Sequence, residues 1–307
     1  MILRFGMDFG GTNLKAGVFD ESGHAIVFKT KPLHECVASG PLLKVLLEVA
    51  GEIITGHPVV AGGLAIKGLV DLETGTVRED IGAGSLLAGV PLRKVFSASL
   101  GIPFAVDNDA RAYAWGEWRF GAGRDSRTMA CMTLGTGLGC AVVSHGTPYT
   151  GTDQYGGLLG GHLSIDRNGP VCPCGQRGCL ELYCSATALG HRVLETHPEL
   201  RNQPGHVLEQ FFHGVRDGLP RYGETCEAIV EDLATGIVNI VHAYAPDVVV
   251  LGGGVMKSAD VLLPPLTALV HQRAWTFPRG MVKIVPASLG DSAAAIGMAF
   301  HQCLEHS

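Results

Sequence analysis

The sequence predicts an α/β protein with two domains. Its 307 residues exceed what one small core needs and suit two domains of about 100–200 residues each. Apolar runs typical of strands alternate with segments whose apolar residues recur at helical spacing. Two apolar stretches, 3–19 and 128–144, are interrupted by glycine-rich tips and are typical of β-hairpins. The two hairpins are similar enough to indicate that both halves share one supersecondary plan.

Each element follows from its local pattern. Apolar runs bounded by turn residues predict the strands, and apolar residues three or four positions apart predict the helices. Asn108 or Asp109 stands where the N-cap of a helix at 110–120 belongs. Residues 151–184 are rich in loops, residues 195–222 are poorly defined, and the domain break is expected near residue 108. In chain order we expect strands at 3–9, 14–19, 25–31, 59–66, 104–106, 128–134, 138–144 and 247–251, and helices at 41–55, 92–100, 110–120, 224–244 and 291–304.

The composition excludes several classes of protein. With 46% hydrophobic and 17% charged residues and a mean hydropathy of +0.24, the chain has enough apolar material to fold. The net charge is −6 without any Lys/Arg-rich block, so we expect no nucleic-acid partner. The N-terminus carries no export signal, and the apolar stretch 247–256 is too short for a bilayer. We therefore expect a cytoplasmic protein without membrane contact. Thiols stay reduced there, so clustered cysteines indicate a metal site rather than a disulfide.

Three glycine-rich turns are candidates for binding phosphate. Small residues allow backbone N–H groups to approach a phosphate closely. Each turn alone is most simply an ordinary tight turn, but three in this order, with Asp8 just before the first, favour a nucleotide site. Asp8 is flanked by apolar Met7 and Phe9 and is a natural carboxylate for Mg²⁺. The three turns are Gly10-Gly11-Thr12, Gly135-Thr136-Gly137 and Gly252-Gly253-Gly254.

A cluster of cysteines gives the most specific local pattern. Cys172, Cys174 and Cys179 form C-x-C-x4-C, and His162 lies ten residues upstream. Three thiolates and one imidazole complete a tetrahedral Zn²⁺ site with no open position, so the predicted zinc is structural. The alternative is a set of buried free thiols, and Cys184 is a rival ligand at a less suitable spacing.

The triplet Asp107-Asn108-Asp109 is a candidate for acid–base chemistry. It stands where a strand ends and a helix opens. Phosphoryl transfer to a sugar hydroxyl needs a carboxylate that accepts the proton of the nucleophile, and an Asn offers both a donor and an acceptor to a polyol. Plain helix capping explains the triplet equally well.

Together these segments resemble the ROK family of the sugar kinase/actin/Hsp70 superfamily. The matching motifs follow the family order over nearly the whole chain, and the cysteine motif is the most specific of them. The matching segments are Asp8-Phe9-Gly10-Gly11-Thr12-Asn13-Leu14-Lys15, Asn108-Asp109-Ala110, Gly116-Glu117, 134–139, Gly161-His162, 172–181 and 251–254.

This resemblance implies two RNase-H-like domains around a central cleft, with ATP at the three glycine turns and a sugar between the domains. It implies a first domain at 1–108, on which a final helix at 291–307 packs, and a second domain at 109–290 with a zinc knuckle at 162–181. It also assigns roles to individual residues. Asp109 matches the catalytic base; Gly68, Asn108, Asp109, His162 and Glu181 match sugar contacts; Asp8, Gly10, Gly11, Thr12, Asn13, Lys15, Gly135, Thr136, Gly137, Gly253 and Gly254 match nucleotide contacts.

Two positions depart from the family pattern. Leu159 occupies the place of a Glu that usually contacts sugar hydroxyls, and an apolar side chain accepts no hydrogen bond from a hydroxyl. Lys67 precedes Gly68 where a Pro often stands, and it is more simply a solvated loop lysine than a cleft residue. The first departure puts the usual glucose contacts in doubt and leaves the identity of the sugar open.

The resemblance implies a glucokinase-like enzyme that uses ATP, Mg²⁺ and a structural Zn²⁺ to phosphorylate a hexose, at the 6-hydroxyl. The alternatives are an N-acetylmannosamine or other amino-sugar kinase, or a sugar-binding protein that transfers nothing. Family repressors carry a winged helix-turn-helix ahead of this part, for which the first phosphate turn at Gly10 leaves no room in this sequence. Family members are often dimers or tetramers, which predicts a homo-oligomer.

Overall fold

Two mixed β-sheets of five strands each organise the chain. A computed structural model describes residues 2–79, 86–152, 154, 157–202 and 205–304. The sheets and the helices around them confirm the predicted α/β class. The chain divides into unit 1, formed by Met1–Asp125, Pro148–Gly156 and Ser288–Ser307, and unit 2, formed by Ser126–Thr147 and Gly157–Ala287.

Unit 1 is built on a sheet with the strand order β3-β2-β1-β4-β7. A two-stranded sheet, β5-β6, accompanies it. The strands are β1 (Leu3–Phe9), β2 (Asn13–Phe19), β3 (Ala25–Pro32), β4 (Val59–Ile66), β5 (Leu69–Asp71), β6 (Thr76–Glu79) and β7 (Phe104–Asn108). The helices are α1 (Leu33–Ala38), α2 (Leu42–Ile54), α3 (Leu92–Leu100), α4 (Asp109–Phe120) and α10 (Ala293–Ala299).

The register of this sheet brings three strand ends into one row. β1, β4 and β7 run parallel, and β2 pairs antiparallel with β1. Phe9 is paired with Ile66, and Ile66 is paired with Asn108. The carboxyl ends of parallel strands meet at one edge of a sheet, where open α/β sheets commonly bind their ligands. The turn after β1, the loop after β4 and the start of α4 therefore lie along one edge of unit 1.

Unit 2 repeats this plan with the strand order β10-β9-β8-β11-β12. β8 and β9 form an antiparallel hairpin, and β8, β11 and β12 run parallel. Thr133 is paired with Gly252, so the turns after β8 and β11 share one sheet edge. The strands are β8 (Thr128–Leu134), β9 (Leu138–Ser144), β10 (Thr147–Pro148), β11 (Val248–Gly252) and β12 (Lys283–Pro286). The helices are α5 (Glu181–Cys184), α6 (Ala186–Thr196), α7 (Val207–Arg216), α8 (Pro220–Tyr244) and α9 (Ala259–Arg273).

Each unit has its own apolar core. In unit 1 the buried faces of β1, β2, β4 and β7 pack against α2 and α3. In unit 2 the buried faces of β8, β9 and β11 pack against α6, α7, α8 and α9. The core of unit 1 includes Phe5, Met7, Leu46, Leu64, Phe96 and Phe104, and the core of unit 2 includes Met132, Phe211, Leu233, Ile237, Val249 and Leu266.

Helix α4 packs backbone to backbone against α10. A Cβ atom on Gly297 would lie only 1.8 Å from the Ala112 carbonyl oxygen, and one on Gly116 only 2.2 Å from the Ala293 oxygen. Glycine is therefore required at this crossing, since any side chain would force the two helices apart. The close contact fixes α4, which carries the candidate base at its first residue, against the C-terminal segment.

Two boundaries differ from the sequence expectation. The first division between the units falls after Asp125, because α4 packs on α10 and so belongs to unit 1. The predicted continuous helix at 291–304 is wrong: a 3-10 turn at Gly290–Ser292 precedes α10, which ends at Ala299. It ends there because tertiary contacts hold Phe300, whose carbonyl accepts a hydrogen bond from Trp115 Nε1 at 2.6 Å. Residues 305–307 lie outside the described part.

No helix in the described part of the chain has both the length and the apolar character that crossing a membrane requires.

Candidate active site

The candidate base stands at the first residue of α4. Asn108 is the N-cap, and its Oδ1 accepts hydrogen bonds from the backbone N–H groups of Ala110 at 2.9 Å and Arg111 at 3.2 Å. Asp109 Oδ1 accepts from Ala110 N at 2.9 Å, and the side chain is partly exposed. The positive end of the helix dipole stabilises a carboxylate here. Asn108 is therefore a cap, as one interpretation of the triplet held, while the Asp109 carboxylate is partly open to solvent.

The loop after β4 contacts this helix start directly. Asn108 Nδ2 donates a hydrogen bond to the Gly68 carbonyl oxygen at 2.9 Å. A side-chain amide carries two N–H groups, so this bond uses only one of the two donors. Three of the predicted sugar contacts, Gly68, Asn108 and Asp109, are thus neighbours at one edge of the unit 1 sheet.

Three carboxylates and a lysine lie near the turn of the first hairpin. Asp8 and Lys15 are paired across β1 and β2, and Lys15 Nζ lies 2.7 Å from Asp291 Oδ1. Burial raises the pKa of Asp8 to about 7; the charges of Asp109 and Asp291 add to the rise, and Lys15 opposes it. A carboxylate crowded by others is stabilised by a cation, so the donor set around Asp8 fits Mg²⁺.

The first glycine turn, at residues 10–13, is exposed and closed by its own backbone. Gly10 N donates to Asn13 O at 3.1 Å, and Thr12 O accepts from Leu33 N at 2.8 Å. Gly11 and Thr12 are both exposed. The N–H groups of such a turn can approach a phosphate without interference from side chains.

The second and third glycine turns share one edge of unit 2. Gly135 N donates to Gly137 O at 3.0 Å, and Thr187 Oγ1 donates to Thr136 O at 2.8 Å, so the N-terminal part of α6 supports this turn. Gly253 has a φ of 89°. A Cβ on Gly253 would meet the Leu134 carbonyl at 2.5 Å, so only glycine fits beside the second turn. Gly253 and Gly254 are exposed.

Glu181 contacts the second glycine turn. Its Oε2 accepts a hydrogen bond from Leu138 N at 2.8 Å, and the side chain is partly exposed. The structure thus gives this carboxylate a protein partner. Glu181 also opens α5, directly after the cysteine cluster.

The cysteine cluster has the geometry of a metal site. One ligand atom from each of His162, Cys172, Cys174 and Cys179 lies within 4.8 Å of all the others. Cys172 Sγ lies 3.5 Å from His162 Nδ1, and Cys174 Sγ lies 3.6 Å from Cys179 Sγ. Ligands at the usual Zn–S and Zn–N lengths are about 3.4–3.8 Å apart in a tetrahedron, so these four side chains fit Zn²⁺. Burial, together with the other two thiols, raises the pKa of Cys179 to about 12, so a cation is needed to hold the thiolate at neutral pH.

Leu159 begins the 3-10 turn that ends at His162, and 51% of it is exposed. A large apolar side chain on such a turn is available for contact with a ligand. The residue that departs from the expected pattern is therefore on the surface and not part of the core of unit 2.

Sequence reasoning missed a buried charged network behind the candidate base. Asp107, Arg111 and His301 are 1%, 1% and 3% exposed. Burial alone would raise the pKa of Asp107, but the charges of Arg111 and His301 outweigh it and lower that pKa. Burial would lower the pKa of His301, but hydrogen bonds with Asp107 and Cys303 raise it to about 9. No local pattern reveals the contact with His301, because Asp107 and His301 are 194 positions apart.

Glu117 is a second buried carboxylate that sequence reasoning did not assign. It is fully buried in α4 and accepts hydrogen bonds from Ala122 N, Ser288 N and Leu289 N. Glu117 thereby fixes the segment that leads to Asp291, the partner of Lys15.

We expect the His301–Asp107 contact to make stability depend on pH. A His pKa raised from 6.5 to about 9 contributes stability that is fully present below pH 6.5 and is lost as the pH rises through 9. Between these values the free energy of unfolding of the wild type should fall by up to about 3 kcal/mol relative to the His301→Gln variant. Urea denaturation of both proteins at about pH 6 and about pH 9 measures this difference. Parallel pH dependence of the two proteins would contradict it.

A family model matches nearly the whole chain. The family model described as ROK family matches residues 4–302. The chain belongs to the ROK family. A glucokinase of Thermotoga maritima is 30% identical over 303 residues, which cover 96% of this chain and 95% of the relative.

Two further similar proteins are a glucokinase of known structure and a longer repressor. The crystal structure of a ROK family glucokinase from Streptomyces griseus in complex with glucose and AMPPNP matches with a TM-score of 0.81 and 27% identity, over 97% of this chain and 98% of that chain. A xylose repressor of Bacillus subtilis is 28% identical over 260 residues, which cover 83% of this chain but only 65% of the repressor. The proteins similar to this chain thus include both a kinase and a repressor.

Proposed function

We propose that this ROK protein is an ATP-dependent sugar kinase that phosphorylates a hexose, at the 6-hydroxyl. The observation that carries the proposal is the sheet edge of unit 1, where the partly exposed Asp109 carboxylate stands beside Asn108 and Gly68. The likeness over nearly full length to a glucokinase and to a glucose- and AMPPNP-bound structure supports the same reaction.

In this proposal Asp109 is the general base. Its carboxylate accepts the proton of the sugar hydroxyl as the hydroxyl oxygen attacks the γ-phosphorus of ATP. The new oxygen–phosphorus bond forms while the bond from the γ-phosphorus to the leaving ADP breaks, which gives a sugar phosphate and ADP. The start of α4 keeps the carboxylate available, because the helix dipole stabilises its negative charge.

Nucleotide contacts are assigned to exposed glycine turns in each unit. In unit 1 these are Gly10, Gly11, Thr12 and Asn13, with Lys15 as the positive side chain. In unit 2 they are Gly135, Thr136, Gly137, Gly253 and Gly254. Asp8 would hold Mg²⁺, which neutralises phosphate charge when bound.

The cysteine cluster takes a structural role in this proposal. His162, Cys172, Cys174 and Cys179 would hold Zn²⁺, whose four protein ligands leave no open position for catalysis. His162 Nδ1 faces Cys172 Sγ, which leaves the second ring nitrogen to contact the sugar, together with Glu181. We also propose that each unit is an RNase-H-like domain, which the shared strand order of the two sheets supports. A homo-oligomeric state, a cytoplasmic location and the lack of a nucleic-acid partner stay predictions.

Leu159 favours a second candidate, an N-acetylmannosamine or other amino-sugar kinase. Its exposed apolar side chain accepts no hydrogen bond from a hydroxyl, and a sugar hydroxyl left without a partner in a site is costly. The same residue is the support for a protein that binds a sugar and transfers nothing.

A sugar panel separates these possibilities. The purified protein is incubated with ATP, Mg²⁺ and glucose, mannose, fructose, N-acetylglucosamine or N-acetylmannosamine. ADP release is followed, and phosphorus NMR identifies the product. We expect turnover with at least one of these sugars and a 6-phosphate product. ADP release no faster than without sugar, for every member of the panel, would contradict the kinase and favour the binding protein.

A further inference from the structure

A buried charged cluster lies directly behind the start of α4, and all of its members belong to unit 1. Arg111 Nε lies 2.8 Å from Asp107 Oδ1 and 3.0 Å from Asp107 Oδ2. His301 Nε2 lies 3.1 Å from Asp107 Oδ2. Removing three ionisable groups from water is expensive, and apolar side chains of similar volume often stabilise a protein as well or better. A buried cluster of this kind is therefore weak evidence for a purely stabilising role.

The cluster controls the backbone on both sides of Asp109. Asp107 Oδ1 accepts a hydrogen bond from Asn108 N at 2.6 Å. Asn108 Oδ1 in turn accepts from the backbone N–H of Arg111 at 3.2 Å. The guanidinium of Arg111 in turn contacts the carboxylate of Asp107. The three contacts therefore form a ring that includes Asp109. These contacts connect the backbone positions on both sides of Asp109 to one another.

The same guanidinium also contacts Gln154. Arg111 Nη1 donates to the Gln154 carbonyl oxygen at 2.9 Å. Gln154 has a φ of 68°, a left-handed conformation that a residue other than glycine adopts at a cost. Its Oε1 accepts from Leu72 N at 2.9 Å, next to β5. The guanidinium serves the two partners from separate nitrogens, Nε toward Asp107 and Nη1 toward Gln154, whereas a lysine would have to offer all its donors from one atom.

We propose that Arg111, Asp107 and His301 are positioning residues that fix the Asp109 carboxylate and Gln154 in one arrangement for phosphoryl transfer. The inference rests on the proposed kinase function. The three side chains act through Asn108, Asp109 and Gln154 and are too buried to contact the sugar themselves. A displacement of about 1 Å at a reacting group can lower a rate about a hundredfold, so loss of one contact is sufficient for a large effect.

The Arg111→Lys variant tests the proposal, because it keeps the charge and loses the fork. We expect kcat to fall at least about tenfold, while KM for ATP stays within about twofold, because the nucleotide contacts lie elsewhere. The matched control is Arg192→Lys, which alters the half-buried Arg192–Asp232 pair of unit 2 and should leave kcat unchanged. A folded Arg111→Lys variant with kcat within about twofold of the wild type overturns the proposal.

His301 provides a second pair of variants. Gln at 301 can still donate to Asp107 and Leu cannot, so we expect kcat to fall in the order wild type, His301→Gln, His301→Leu. Equal kcat for the two variants overturns the proposal, whatever their melting temperatures. The two His301 variants test the positioning role even if Arg111→Lys fails to fold.

Hydrogen exchange separates this inference from the kinase assignment. In Arg111→Lys, the amides of residues 108–112 should exchange faster than in the wild type, independently of turnover. A wild type without turnover contradicts the proposed function, and exchange at 108–112 then still tests the positioning role. Unchanged exchange at residues 108–112 in Arg111→Lys overturns the positioning role.

Discussion

Asp109→Asn should lower kcat for hexose phosphorylation by about 10²–10⁴-fold, the usual contribution of a general base. Asn has nearly the same shape as Asp, but its neutral amide cannot take the hydroxyl proton. The fold should survive, because Asn is also well tolerated at the start of a helix and the cap of α4 is Asn108 itself. A coupled ADP-release assay with the best sugar of the panel measures the loss, and thermal unfolding checks the fold.

The matched control for this substitution is Asp260→Asn. Asp260 forms an exposed ion pair with Arg216, and such surface pairs contribute little. Its kcat should equal that of the wild type. If Asp109→Asn retains kcat within about tenfold of the wild type, another group accepts the proton and the assignment of the base is wrong.

Cys179→Ser should remove the metal and much of the stability of unit 2. The predicted Zn²⁺ has four protein ligands, and structural zinc sites contribute directly to folding energy. We expect about one zinc per chain in the wild type and almost none in the variant. The melting temperature should fall, and kcat with it, because His162 and Glu181 flank the cysteine motif. Elemental analysis, thermal unfolding and the kinase assay measure the three effects.

Cys226→Ser is the control for the loss of a buried thiol. Cys226 is 5% exposed in α8 and lies outside the cluster. This variant should therefore keep its zinc and lose only the stability that the packing of the buried thiol contributes. A wild type that holds no zinc when it is purified from zinc-containing medium, or a Cys179→Ser variant with the same zinc content, would contradict the metal assignment.

The parts of the site that the sequence predicted are local. The glycine turns, the C-x-C-x4-C motif with His162 and the Asn108 cap each depend on residues within about twenty positions, and both hairpins formed as predicted. Asp107 and Arg111 are only four positions apart, but the contacts of His301 and Glu117 were missed because they are long-range. His301 reaches Asp107 across 194 positions, and Glu117 reaches Leu289 across 172.

Helix α9 shows how tertiary packing overrides a local pattern. Pro264 and Pro265 lie inside it, although proline removes a backbone donor and normally ends a helix. Burial of Leu262, Leu266 and Val270 against the core of unit 2 stabilises the helix nevertheless. From the sequence, no helix was predicted at 259–273.

The most direct measurement is a crystal structure of the protein with its sugar and a non-hydrolysable ATP analogue. The kinase assignment predicts that one Asp109 carboxylate oxygen lies about 2.6–3.2 Å from the sugar hydroxyl that becomes phosphorylated. That hydroxyl should face the terminal phosphate. A complex in which the carboxylate contacts only the Ala110 N–H of its own helix, and no ligand oxygen, would contradict the assignment.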